Sequence, residues 1–381
     1  MGIHEKTLEA KKHQLSQMSG LADFASVTRT ARRVLVIDSG FLGDTLHLVP
    51  ALRELRRHYN DAEFHIVTTP VGAQVIGLAN WADHIWTLEQ SHPKRSLTAQ
   101  LSVLRALRAL HFDVSINFGD ADRPTIYAGV VGARHRLGRM GARQHFWNSW
   151  CLPFRGPEPS DELPVFERHR QLLATAGFVL APAQFNLSVP AADAEWAAST
   201  LPEPSVHLSP NTQSWQREWP ISNWVKLIIL FKTRHSQVRV VVTGSAAQRE
   251  LERLNAIQSA ASEGNALFFS NLSISKIAAL MARSEVHVGS DSGALHLAVA
   301  LGIPTVSFFR ENPGIRGWIP RGHCHSTFIR PCACITMPTP RCTAEQGPEC
   351  LASVTPESVL AAMELHISSD NSDSSYLAGP A

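Results

Sequence analysis

The chain is predicted to be an α/β protein of two doubly wound Rossmann-like domains, and that prediction rests on three observations. Its 381 residues exceed the size at which a single core usually stops growing. Short apolar runs alternate with helix-like segments in both halves, as buried parallel strands and their crossover helices do. A composition 44% hydrophobic and 18% charged lets each half bury a core of its own.

The elements follow in order. Residues 1–30 are polar and lack a steady apolar period, so they read as an extension outside the core. A first domain over 31–190 opens with VLVID at 34–38, a Gly-containing turn and the helix pattern TLHLVPALRELRRHY. Strands are expected at 63–68, 84–88 and 113–117, with helices near 71–79 and 96–111. The rhythm loosens from about 150, and a Pro- and Ala-rich linker is expected between 185 and 203. A second domain over 200–352 repeats the alternation, with strands at 205–209, 238–243, 266–270, 285–289 and 304–309. Its helices fall at 221–233, 246–260, 273–282 and 292–301. Pro220 suits a first helical turn and Ser273 an N-cap. A Cys- and Pro-rich loop occupies 331–350. Thr355 and Pro356 start a last helix within 353–366, and the polar tail 367–381 is expected to be disordered.

Bulk properties exclude several classes. No run approaches the roughly 18 apolar residues of a membrane helix. The first twenty residues carry charge without an apolar h-region, so a cytoplasmic location is expected. A net charge of +2 argues against a protein devoted to nucleic acid.

Three segments carry candidate chemistry. DSGFLGDTLHLVP, 38–50, lies where the first strand meets its helix. Gly40 and Gly43 permit a tight turn, and Asp44 stands at the carboxyl end of the sheet, where such sheets bind ligands. Asp44 is equally a simple helix cap on this evidence. LSPNTQSWQREWP, 208–220, sets Thr212 and Gln213 ahead of Arg217, donors and a cation suited to a diphosphate. The same loop could be a solvated one anchored by Trp219. GSDSGALHLAVALGIPTVSFF, 289–309, is the most specific. Asp291, Ser292 and Gly293 open a helix whose amides can hold a phosphate, and His296 lies one turn in on the same face.

In this order and at these separations, the three segments resemble glycosyltransferase family nine, the lipopolysaccharide heptosyltransferases, over roughly residues 32–365. The resemblance implies the GT-B architecture, with the acceptor on the first domain and the nucleotide sugar on the second. It implies Asp44 as the catalytic base of an inverting transfer of heptose from ADP-heptose to a lipopolysaccharide core or related glycan. It places Thr212, Gln213, Arg217, Asp291, Ser292, Gly293 and His296 at the donor. Gln213 stands where the family has a second hydroxyl, Arg217 where it has a lysine, and Ala246 near a point where a glutamate can meet the nucleoside. A transferase using a UDP- or GDP-linked sugar, and a non-catalytic nucleotide-sugar or glycan-binding protein, are the alternatives.

Two further features call for a partner. Arg53, Arg56 and Arg57, with Arg134, Arg136 and Arg139, are basic clusters suited to an anionic glycolipid acceptor and to the inner-membrane surface, or to an ordinary solvated face. Cys332, Cys334, Cys342 and Cys350 lack the CxxC pairs of structural zinc; a structural zinc or iron ion, a disulfide and free thiols all remain open. No cofactor is expected in catalysis itself.

Overall fold

A computed structural model describes residues 20–88, 93–119, 121–139, 145–262, 266–333, 342 and 347–367. The chain divides into two compact units, 1–188 and 189–381. Each carries a six-stranded sheet whose pairings are all parallel, with helices between strands, the α/β organisation expected.

In unit 1 the sheet order is β3-β2-β1-β4-β5-β6, with β1 Arg33–Ile37, β2 Glu63–Thr68, β3 His84–Thr87, β4 Val114–Asn117, β5 His135–Arg139 and β6 Phe154–Gly156. Strand β1 is central because RVLVI is buried from its second residue onward, and its two neighbours β2 and β4 are almost wholly buried as well. The helix Leu42–His58 returns the chain from β1 to β2 and buries Leu46, Leu48, Val49, Leu52 and Leu55. Strands β5 and β6 went unread because HRLGR and FRG are polar and short, and both are only partly buried.

In unit 2 the order is β12-β11-β10-β7-β8-β9, with β7 Ser205–Ser209, β8 Arg239–Gly244, β9 Leu267–Ser270, β10 Ser284–Ser290, β11 Thr305–Arg310 and β12 His325–Arg330. One face packs Val206, Leu208, Val240, Val242, Val286 and Val288 against Trp219, Trp224 and Phe231. The terminal helix Pro356–Glu364 joins that core through Val359, Leu360 and Met363. Ser273 accepts a bond from Lys276 N (3.3 Å) and Thr355 one from Ser358 N (3.3 Å), so both act as the N-caps expected.

Two boundaries differ from the sequence reading. Residues 20–30 are not outside the core: Phe24 is 1% exposed and meets Phe154 at 5.1 Å between ring centroids, with Leu21 and Ala25 also buried. The segment is too short to show a period, yet its aromatic ring seals the end of the sheet. The stretch read as a linker contains the helix Ala191–Thr200, whose Ala197 is buried against unit 2. Residues 1–19 and the tail from 368 lie outside the described residues. No helix among the described residues is long and apolar enough to cross a membrane.

Candidate active site

In unit 1 the site begins where β1 ends. Asp38 accepts bonds from the Thr45 hydroxyl (2.6 Å), the Thr68 hydroxyl (2.9 Å) and Gly40 N (3.0 Å). Burial pushes its carboxyl above the usual range, and those three donors pull against that shift. The backbone then turns so tightly that a Cβ on Gly40 would lie 2.4 Å from the Asp44 Cβ and 3.0 Å from an Asp38 carboxylate oxygen. Only glycine fits between the two acids. Thr69 donates to Gly40 O (3.2 Å) and closes the loop from the β2 side. Asp44 sits in the first turn of helix Leu42–His58, and its Oδ2 accepts from Phe41 N (2.9 Å). The capping role is therefore present. Gly43 is buried in that turn.

The basic residues of unit 1 are mostly bonded to the protein itself. Arg53 donates to Ala79 O (2.6 Å) and Asn186 O (2.8 Å). Arg56 bonds Asp83 (3.2 Å) and the Trp81 carbonyl and lies 4.4 Å over the Phe64 ring. Arg57 bonds Glu54 (3.1 Å) and the Val179 carbonyl. Arg136 donates to the carbonyls of Cys151 (2.8 Å), Ala133 (2.8 Å) and Trp150 (2.7 Å), and Arg139 meets His169 Nδ1 at 3.0 Å. Guanidinium forks satisfy loop carbonyls as readily as they bind anions. Arg134 is exposed.

In unit 2 the two sequence-predicted donor segments meet at the carboxyl ends of β7 and β10. Thr212 is buried; its hydroxyl donates to Ser214 O (2.6 Å) and its amide to Glu218 (3.3 Å), while Gln213 is exposed. The short turn Trp215–Arg217 then carries the Arg217 guanidinium to Asp291 Oδ2 (3.0 Å). On the other side His296 Nε2 lies 3.8 Å from Asp291 Oδ1. Burial opposes ionisation of Asp291, but His296 and Arg217 outweigh it and hold the carboxyl below its usual range. His296 is 4% exposed and packs against Trp318 at 5.2 Å. Ser292 takes extended backbone at the N-cap of helix Gly293–Ala300. The hydroxyls of Ser290 and Ser292 are buried without a hydrogen-bond partner. A one-third exposed guanidinium beside two unpartnered hydroxyls and a helix N-terminus is suited to phosphate oxygens.

Several contributors escaped sequence reasoning. Glu218 is buried and bonded to Arg249 (2.7 Å), and Arg249 also reaches the Thr212 carbonyl, so the pair fixes the Thr212 loop. The available signal was a glutamate inside an otherwise donor-rich loop. Ala246 is exposed beyond β8. Asn211, which donates to Glu250 O (3.1 Å), crowds Gly244 so closely that a Cβ there would come within 2.8 Å of its amide nitrogen.

The cysteine loop is only partly described. Cys332 and Cys350 are not disulfide-bonded, which overturns the disulfide reading for those two, and Cys334 lies outside the described residues. Cys350 is pushed up to about 12, by burial first and then by the adjoining Cys332 thiol. Cys332 also receives Arg310 Nη1 at 3.7 Å. Among the described residues the cysteines form no group of three able to hold a metal; the group that does gather is Glu63, His65 and His84. There Trp86 donates to His65 Nδ1 (3.1 Å), which places the imidazole proton on Nε2, facing Glu63. With the proton there, Nε2 has no lone pair to offer a metal.

With this geometry in place, the comparisons with known proteins are decisive. Residues 100–327, more than half of the chain, match the model of glycosyltransferase family 9 (heptosyltransferase). This chain belongs to glycosyltransferase family 9. Lipopolysaccharide heptosyltransferase 1 of Pseudomonas aeruginosa is 28% identical over 319 residues, covering 79% of this chain and 85% of that protein. Among solved structures, ADP-heptose lipopolysaccharide heptosyltransferase II of Escherichia coli superposes with a TM-score of 0.70 at 19% identity, over 87% of this chain and 98% of its own. The E. coli heptosyltransferase WaaC with ADP gives 0.69 at 19% identity, over 88% and 100%. These two establish that this family 9 chain has the GT-B heptosyltransferase fold.

Proposed function

We propose that this family 9 glycosyltransferase moves heptose from ADP-heptose to a sugar of the lipopolysaccharide core, with inversion at the anomeric carbon. The observation that carries the reading is the Arg217–Asp291–His296 cluster beside the unpartnered Ser290 and Ser292 hydroxyls. A fixed cation, hydroxyl donors and helix amides in one place suit a leaving diphosphate. The heptose and lipopolysaccharide for which those relatives are named supply the sugar and acceptor class.

In this mechanism the Asp44 carboxylate takes the proton of the acceptor hydroxyl as that oxygen bonds to the sugar's anomeric carbon. The bond from that carbon to the diphosphate oxygen breaks, and the electron pair leaves with ADP. Arg217, the Ser290 and Ser292 hydroxyls and the first amides of helix Gly293–Ala300 stabilise the charge that develops there. Thr212, held by Glu218 and Arg249, shapes the loop that carries Arg217, and Gln213 and Gly293 complete the donor contacts. Arg134 keeps the surface position that contact with an anionic glycolipid at the cytoplasmic face of the inner membrane requires.

The test is a panel of nucleotide sugars scored by thermal stabilisation, since a ligand at 100 times its Kd adds about 2.7 kcal/mol to the folded state. ADP-heptose is expected to stabilise most. A larger effect from a UDP- or GDP-linked sugar would overturn the donor assignment, and product of retained anomeric configuration would overturn the mechanism.

A further inference from the structure

Three neighbouring elements of unit 1 leave apolar side chains in the open. Helix Pro93–Ala109, helix Asp122–Val131 and the single turn Asn148–Cys151 bury Leu104, Leu107, Ala128, Val131 and Cys151 in one cluster with Leu35 and Ile37 of β1. All three therefore cover the same face of the sheet. Side by side they are joined by the Tyr127 hydroxyl, which donates to Gln100 (2.7 Å), and by Arg108, which donates to Val130 O (2.6 Å). Trp150 lies so close to Gly129 that a Cβ there would come within 2.8 Å of its ring. On the outer side stand Leu101, Ile126, Phe146 and Trp150, with exposures of 47%, 42%, 92% and 63%. Scattered apolar side chains are ordinary on a protein surface, whereas such residues gathered on adjoining elements mark a contact face.

The charges around these residues select the partner. Leu101, Arg105 and Arg108 recur at helical spacing along one exposed side of their helix, as Arg123 and Ile126 do on the next. Helix Pro93–Ala109 also carries Lys94 and Arg95 and has no acid in its sequence. The single acid of the three helices, Asp122, faces His145 (3.5 Å). Cations interleaved with aromatic rings complement a layer of anionic headgroups over acyl chains, where indole rings settle and each surface cation adds attraction. A second copy of the chain fits less well, since face-to-face pairing would set these cations against themselves. The face begins at the carboxyl end of β4, the same end of the parallel sheet at which Asp44 follows β1.

We infer that this outer face of unit 1 seats on an anionic lipid bilayer, with Phe146 and Trp150 entering the headgroup layer and Arg105 and Arg123 meeting lipid phosphates. The inference rests on the membrane contact within the proposed function and gives that contact a surface. Its test is co-sedimentation of the full chain with vesicles of equal phosphatidylethanolamine and phosphatidylglycerol, against vesicles of phosphatidylcholine alone, with neither donor nor acceptor present. Wild type is expected to bind the anionic vesicles and to leave the zwitterionic ones in solution. A Phe146→Ser, Trp150→Ser double variant should bind about tenfold more weakly, and Arg105→Gln about fivefold. Phe146→Ser alone, at a side chain almost wholly in solvent, should show part of the loss with the melting temperature unchanged. Wild type that ignores the anionic vesicles, or variants that bind them as wild type does, would overturn the inference. So would self-association that the double variant abolishes, seen with no vesicle bound, which assigns the face to a second copy. Heptose transfer to a deacylated, water-soluble acceptor is read separately. Its absence in wild type would sink the proposed function while leaving the vesicle result intact.

Discussion

At the scale of single residues, the two carboxylates Asp44 and Asp291 have opposite settings and opposite expected phenotypes. Asp44 accepts from the Phe41 amide in the first turn of helix Leu42–His58, whereas Asp291 is locked between Arg217 and His296. Asp44→Asn keeps the cap acceptor but removes the base, so kcat is expected to fall about 10²–10⁴-fold with ADP-heptose stabilisation unchanged. Full turnover in that variant would end the base assignment. Arg217→Gln removes the diphosphate's cation and leaves Asp291 with one partner fewer. Its donor KM should rise and its kcat fall together, because the charge Arg217 meets is present in the bound donor and grows in the transition state. An unchanged donor KM and kcat would remove Arg217 from the site. Asp44 and Arg217 were legible as candidates because each sits at a strand-to-helix turn. Glu218 and Arg249 were not, since a loop glutamate and a helix arginine acquire meaning only from the 2.7 Å bond between them.

Single elements hold these residues in place, and their stability can be probed directly. Phe24 lies in the four-residue helix Phe24–Val27 and packs on Phe154 and Phe178, and Gly177 has φ +82 where a Cβ would come within 2.1 Å of the Ala22 carbonyl oxygen. Phe24→Ala should therefore cost about 3–5 kcal/mol, read as a lowered urea midpoint for unit 1. A change below 1 kcal/mol would show that residues 20–30 are dispensable after all. Removing the caps is milder: Ser273→Ala and Thr355→Ala should each cost about 1 kcal/mol in the same measurement on unit 2. Strands with continuous apolar runs, such as RVLVI and RVVVTG, were evident from sequence because burial on both faces writes itself into every position. HRLGR was not evident, because a partly exposed strand can be polar and still complete a sheet.

For the whole molecule, buried histidines set an acid limit. His207 Nδ1 meets His287 Nδ1 at 2.8 Å inside unit 2, and Thr243 bonds His207 Nε2 (3.0 Å). Burial pushes His207 down to about 3 and His287 well below its ordinary value, while His169 in unit 1 is depressed by burial and then by Arg139. A histidine held neutral in the fold takes up its proton more readily when unfolded, so its contribution is complete above about pH 6.5 and is lost as pH falls towards 3. The urea midpoint should decline between pH 7 and pH 5, a window in which unfolded carboxylates are still largely ionised. A flat profile there would contradict neutral burial of these rings.

What the sequence alone determined was what neighbours in the chain decide: apolar period, helix caps, glycine turns and the order of three motifs. Those signals act over about ten residues and survive without knowledge of the fold. Tertiary structure decided the partners. Arg217 and Asp291 are 74 positions apart, and Arg53 finds its carbonyl at Asn186, 133 positions away. Arginine clusters that read as anion sites turned out to bond the protein's own loops, while Arg105 and Arg123, unremarked in sequence, stand exposed on the outer face of unit 1. A guanidinium has the same chemistry in both settings, and only the arrangement of acceptors around it distinguishes them.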